Sequence, residues 1–135
     1  NTDLKRVSCP YTGQPLLAMP ALHLDAALIH LHRSDLRGNA QYLNEDPYFD
    51  DWFAMAATHT YLSAERLELD DTCSHRNLIQ RMMVTGVVHA PGGAGFTDCS
   101  PDYPRDEAAQ RDWVATAKDD SAFEAWCRAH LRGEP

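Results

Sequence analysis

The chain has 135 residues, enough for one modest domain around a single hydrophobic core. Apolar residues at 44% and charged residues at 24% are ordinary for a soluble globular protein, and a formal charge of −8 argues against nucleic acid, whose phosphates call for a basic face. The longest apolar run, Ala26-Ala27-Leu28-Ile29, is broken at His30 and falls well short of the roughly 18 residues that span a bilayer. Asn1-Thr2-Asp3 is polar with no apolar segment behind it, so no secretory signal is expected. There is no initiator methionine: either residues were removed or this is a piece of a longer chain. Cys9, Cys73, Cys99 and Cys127 are widely spread and read as free thiols in a reducing compartment, the cytoplasm.

In chain order, Leu4 to Cys9 is a strand candidate closed by the turn-rich Cys9-Pro10-Tyr11-Thr12-Gly13. Leu16 to Met19 is a second short apolar run, ended by Pro20. Asp25 to His32 is the clearest strand, and its unbroken apolar centre predicts burial on both faces within a parallel sheet. Asp46-Pro47 announces a helix to about Thr58, since an aspartate N-cap and a first-turn proline satisfy or remove amide donors that lack intrahelical partners. Trp52, Met55, Ala56 and His59 predict its inward stripe.

Thr60 to Ala64 then reads as a short strand with Glu65 at its end. Leu78 to Met83 reads as a helical turn or a short extended piece, and Val84 to His89 as a strand interrupted by Gly86. Asp98 to Pro104 is the plausible hinge. Asp106 to Lys118 is a helix with Ala109, Trp113 and Ala117 spaced four apart. A last helix opens at Ser121, with Ser121 and Glu124 as its S-x-x-E capping box and Phe123, Trp126, Cys127 and His130 as its buried face. Strands alternating with helices define an α/β architecture with two C-terminal helices.

Three constellations carry possible chemistry. The first is His30-x-His32-Arg33-Ser34-Asp35-x-x-Gly38-Asn39, leaving the carboxyl end of a strand, where open α/β sheets bind ligands. Arg33 can clamp a carboxylate or phosphate and Asp35 can orient it; alternatively the two pair with each other and Gly38-Asn39 is an ordinary turn. His30 and His32 share a strand face, but a metal site would need a third ligand from Asp25 or Cys73-x-His75, so no metal is expected. The second is Pro91-Gly92-Gly93-Ala94-Gly95-Phe96, where glycines let backbone amides approach an anion or a thioester oxygen, or simply let the loop pack on a neighbour. The third is Glu65, a weak candidate nucleophile or base that more ordinarily pairs with Arg66 or Arg76.

As a set, several segments resemble one family. Cys9-Pro10-Tyr11-Thr12-Gly13, Pro20-Ala21-Leu22, Asp25 to His30 and His32 to Ala40 are similar, in order, to the α subunit of glutaconate CoA-transferase-type enzymes. So are Val87-Val88-His89-Ala90-Pro91-Gly92-Gly93-Ala94 and Cys99-Ser100-Pro101-Asp102-Tyr103 with Asp106. The resemblance to class I coenzyme A transferases implies an open α/β sheet of the coenzyme A transferase (NagB/RpiA-like) kind with flanking helices. It implies that residues 1–135 are the C-terminal portion of an α subunit. The partners it implies are the N-terminal portion of the same α chain, the β subunit carrying the nucleophilic glutamate, and an acyl-CoA thioester as substrate, without nucleic acid, membrane or a permanently bound cofactor. Catalytic residues are then not expected in this chain, and Glu65 is not promoted to that role. Arg33, Asp35, Asn39, Gly92, Gly93, Gly95 and Phe96 become the substrate-binding wall. Where related α chains commonly have Gly-Ala-His, this one reads Gly93-Ala94-Gly95-Phe96. That departure opens a second reading, a CoA-dependent ring-opening hydrolase of steroid catabolism. A third is a non-catalytic assembly domain.

Overall fold

The computed structural model describes residues 3–44, 48–69 and 77–130. A hairpin of β1 (Lys5–Ser8) and β2 (Pro15–Ala18) forms its own antiparallel two-stranded sheet, turned by Gly13 at φ +70°. A five-stranded mixed sheet follows from β3 (Leu24–Ser34), β4 (Ala40–Gln41), β5 (Ala57–Arg66), β6 (Asn77–Ile79) and β7 (Gly86–His89), in the order β6-β4-β3-β5-β7. The β3–β5 and β5–β7 pairs are parallel, and both β4 pairings are antiparallel. Helices α1 (Asp50–Ala56), α2 (Glu107–Thr116) and α3 (Asp120–His130) complete the described elements, with a single 3₁₀ turn at Arg81–Met83.

The core lies between α1 and one face of the sheet. Ala27, Ile29 and Leu31 of β3 meet Leu62 of β5, Ala40, Ile79 and Ala54 of α1. Leu31, Leu62 and Ile79 are fully buried, each stabilising the fold by about 1.5–3 kcal/mol relative to exposure. The register Leu28↔Tyr61 and His30↔Ser63 sets the opposite face, and there the expectation of a strand buried on both sides fails. Leu28 is 82% exposed because no described element covers that side.

The helix expected from Asp46 is described only as α1, while Asp46-Pro47 lies outside the described residues. Its inward residue is Ala54, and Trp52 and Met55 point to solvent. Ala54 packs into the core cluster with Ile29 and Leu31 of β3 and Leu62 of β5. Leu78 to Met83 resolves into both expected alternatives, β6 and then the 3₁₀ turn. The capping box at Ser121 is also corrected. Asp119 caps α3 instead, its Oδ1 accepting from Ala122 N at 2.8 Å and its carbonyl from Phe123 N. Phe123 is more than 40% exposed and His130 is exposed, so α3 packs against α2 through a ring cluster rather than a buried face. Trp113 meets Trp126 edge-on at 4.5 Å and Phe123 at 5.9 Å, and His130 stacks on Trp126.

Candidate active site

The parallel strands β3 and β5 end side by side, and residues 91–104 cross over their carboxyl ends. His30 is brought opposite Ser63 by the register, and its Nδ1 lies 2.8 Å from Ser63 Oγ. Its Nε2 reaches Glu65 Oε1 at 2.7 Å. Tyr103 donates its hydroxyl hydrogen to the same carboxylate oxygen at 2.5 Å, and Gly92 N donates to Oε2 at 2.6 Å. Ala94 N in turn donates to the Tyr103 hydroxyl at 3.1 Å. One buried carboxylate thus ties two strands, the glycine loop and the segment behind it.

Burial alone pushes the Glu65 carboxyl up. Hydrogen bonds from Tyr103, the Gly92 amide and His30, with the His30 charge, outweigh it and bring the pKa down to about 2. Burial and the bond to Glu65 drive the Tyr103 phenol well above its usual range. Glu65 therefore stays ionised with its lone pairs committed, which is the state of an anchor and not of a free nucleophile. Its basic side-chain partner is His30, not Arg66, which lies near Glu68 and Asp102; Arg76 is outside the described residues.

Gly93 sits on the His30 ring so closely that a Cβ there would come 2.5 Å from His30 Cε1 and 2.8 Å from the Ala90 carbonyl. Gly92 and Gly95 take φ of +73° and +62°, conformations that glycine adopts freely. The loop amides are already spent within the chain. Besides Gly92 and Ala94, Gly93 N donates to Ala90 O and Gly95 N to Gly92 O. The expected offer of amides to a substrate oxygen therefore does not hold at Gly92, Gly93, Ala94 or Gly95 in this arrangement. The Phe96 ring turns toward α2, with its centroid 6.3 Å from that of Trp113.

Arg33 and Asp35 do not pair with each other. Arg33 makes a bidentate clamp on Asp102, Nη2 to Oδ1 at 2.8 Å and Nη1 to Oδ2 at 2.5 Å, and donates to the His32 carbonyl. The Asp102 carboxyl is held low, first by the Arg33 hydrogen bond and also by the Arg33 charge. Asp35 closes its own turn, accepting from the Arg37 and Asn39 amides and from Asn39 Nδ2, while Asn39 Oδ1 accepts from Arg81 N. Gly38, at φ +93°, leaves room for Val84, which a Cβ would approach to 2.8 Å. The Arg33 clamp and the Asp35–Asn39 turn are thus two separate groups at the rim.

His32 accepts from Leu43 N at Nδ1 and donates from Nε2 to Ser100 O, so the His-x-His pair does not converge on a cation. His30, Glu65 and Cys99 do bring one ligand atom each within 4.8 Å of one another. A cation there would have to displace the hydrogens of His30 and Tyr103, and the Cys99 thiol is pushed up to about 11 by burial and by the charges of Glu65 and Asp102. Asp25 lies at the far end of β3, and Cys73 and His75 are outside the described residues. Cys9, Cys99 and Cys127 are free thiols. Asp98 to Pro104 is no hinge. Cys99 and Tyr103 bridge to each other, and Asp102, Tyr103 and Ser100 O anchor it to β3 and β5. Sequence reasoning missed Tyr103 and Ser63 as partners. Tyr103 lies 38 residues from Glu65 and Ser63 lies 33 residues from His30, and no local pattern joins either pair.

Parallel strands within a mixed sheet, with a polar, glycine-covered corner at their carboxyl ends, define an α/β domain of the open-sheet class. The sequence matches the Coenzyme A transferase family over residues 5–90, and the chain belongs to that family. It is 45% identical to the cholesterol ring-cleaving hydrolase IpdA subunit of Rhodococcus jostii (strain RHA1), over 97% of this chain and 48% of that protein. It is 28% identical to one of the subunits of the 3-oxoadipate CoA-transferase of Pseudomonas knackmussii, over 98% of this chain and 47% of that protein. The crystal structure of glutaconate coenzyme A-transferase from Acidaminococcus fermentans superposes with a TM-score of 0.78 at 26% identity, over 93% of this chain and 41% of that one. The chain spans about half the length of the curated relatives it matches.

Proposed function

We propose that this chain is the C-terminal part of an α-type subunit of an enzyme acting on CoA thioesters, and that it forms one wall of a site completed by other polypeptide segments. The observation that carries this is the Glu65 anchor. It uses a buried charge and three hydrogen bonds to hold the Gly92–Phe96 loop over the ends of β3 and β5, where an open α/β sheet receives its ligand. No resident cofactor or metal enters this reading, and the acyl-CoA is substrate. Arg33, Asp35 and Asn39 act by shaping the rim, and the loop from Gly92 to Phe96 offers its surface to the thioester. No described helix is long and apolar enough to cross a membrane. Free thiols fit a cytoplasmic enzyme.

Of the two chemistries, hydrolytic ring opening is favoured over transfer, because the likeness to a ring-cleaving hydrolase subunit is 45% against 28% to a transferase subunit. The test uses the assembled enzyme and a CoA thioester with no acid acceptor. A hydrolase turns over and consumes water. A transferase stalls with its glutamate activated, and borohydride then reduces that glutamyl carbonyl on the β-type partner to an alcohol, releasing the attached group. Turnover unaffected by replacing the Gly92–Phe96 loop would instead support a merely assembling role.

A further inference from the structure

The sheet is finished on one face; on the other, residues 91–104 cover only the carboxyl ends of β3 and β5 and leave the stretch around Leu28, Tyr61 and Val88 bare. Alternation along β3 and β5 sends Ala27, Ile29, Leu31, Leu62 and Ala64 under cover, and Leu28, Tyr61 and Val88 outward. The register aligns Leu28 with Tyr61 and Gly86, and His30 with Ser63 and Val88, so these side chains form adjoining rows on three parallel strands. Leu28, Tyr61 and Val88 are 82, 44 and 54% exposed. Tyr61 lies flat enough over β7 that a Cβ on Gly86 would touch its ring at 3.4 Å. Parallel strands are characteristically covered on both faces, because their crossovers lay helices on each side.

The relatives are about twice as long as this chain. We infer that the bare face is the seat of an amphipathic helical layer supplied by the other half of the α-type subunit, laid across Leu28, Tyr61 and Val88. This rests on reading the chain as part of such a subunit. The row of His30, Ser63 and Val88 runs into the active-site corner, and the His30 side chain keeps 21% of its surface open. A layer seated on that row closes the open side of His30 and shields the His30–Glu65 pair from water. Docking and completion of the site are then one event.

The test places a benzophenone amino acid at Leu28, and separately at Val88, in the assembled enzyme, followed by irradiation and identification of the crosslinked peptide. Crosslinks to the half of the α-type subunit not included in these 135 residues are expected. Crosslinks to a second copy of this face, or to the β-type partner, overturn the inference, as does a face that yields no crosslink. Turnover of the CoA thioester is scored on the same unmodified preparation. The expected crosslink in an enzyme inert toward CoA thioesters leaves the docking intact and removes the functional reading instead.

Discussion

Glu65 shows how much one residue can be asked to hold. Its side chain is almost entirely buried, and its ionised form is favoured over the unfolded reference of 4.5 by a shift to about 2, worth about 3 kcal/mol. The folded pKa is depressed, so this stability is fully present above about pH 4.5 and is lost as the pH falls toward 2. Denaturant unfolding of wild type and Glu65→Gln from pH 7 to pH 2 should give a difference of a few kcal/mol at neutrality that closes across that window. A difference independent of pH would mean that the carboxylate charge contributes nothing. The glycines make a second comparison. Gly93→Ala drives a methyl into the His30 ring and the Ala90 carbonyl and should cost about 1–3 kcal/mol. Gly95→Ala meets nothing within 4 Å and should cost about 1 kcal/mol, from its positive φ alone. Thermal midpoints of the two variants, ranked Gly93→Ala below Gly95→Ala, check this. Glu65 was legible in the sequence as a strand-end acid. Its partners were not, because His30 and Tyr103 lie 35 and 38 residues away and only the strand register and the overlying segment bring them together.

Among the elements, local patterns located strands and helices well and misjudged what covers them. The strand around Ala26 to Ile29 was legible because its aliphatic run is short and bounded; its one bare face was not, because covering a face is done by residues elsewhere. In α1 the bulky Trp52 suggested an inward stripe, yet Trp52 clusters with Phe49 at 5.4 Å on the surface and Ala54 faces the core. The start of α3 went astray by two residues because Asp119, Asp120 and Ser121 are all competent caps. Geometry selects Asp119. Asp119→Ala should therefore destabilise by about 1 kcal/mol, as should Asp106→Ala at the start of α2, where Oδ1 accepts from Ala109 N at 3.0 Å. Ser121→Ala, inside the first turn, should change stability by less than about 0.5 kcal/mol. Chemical denaturation of the three variants separates these assignments, and equal losses at Ser121 and Asp119 would restore the capping box.

At the scale of the whole molecule, stability is distributed unevenly, and the loop over the active-site corner sits at the boundary. Ile29, Leu31 and Leu62 of the parallel-paired β3 and β5 are buried, whereas β1 and the loop from Pro91 to Gly93 are exposed. What keeps residues 91–104 on the sheet is a few polar ties: Glu65 to Gly92 and Tyr103, Tyr103 to Ala94, and Asp102 to Arg33. Tyr103→Phe keeps the ring but removes the hydroxyl that donates to Glu65 and accepts from Ala94 N, leaving that amide without its partner at a cost of about 1–2 kcal/mol. Hydrogen exchange should then speed up by roughly tenfold at Ala94 and its loop neighbours, with the amides of Leu31 and Leu62 unchanged, because a segment held by side-chain ties opens without unpairing strands. Uniform acceleration through β3 and β5 would show that loop and sheet open together. The loop would then be part of the core's cooperative unit and could not close over a ligand independently of it.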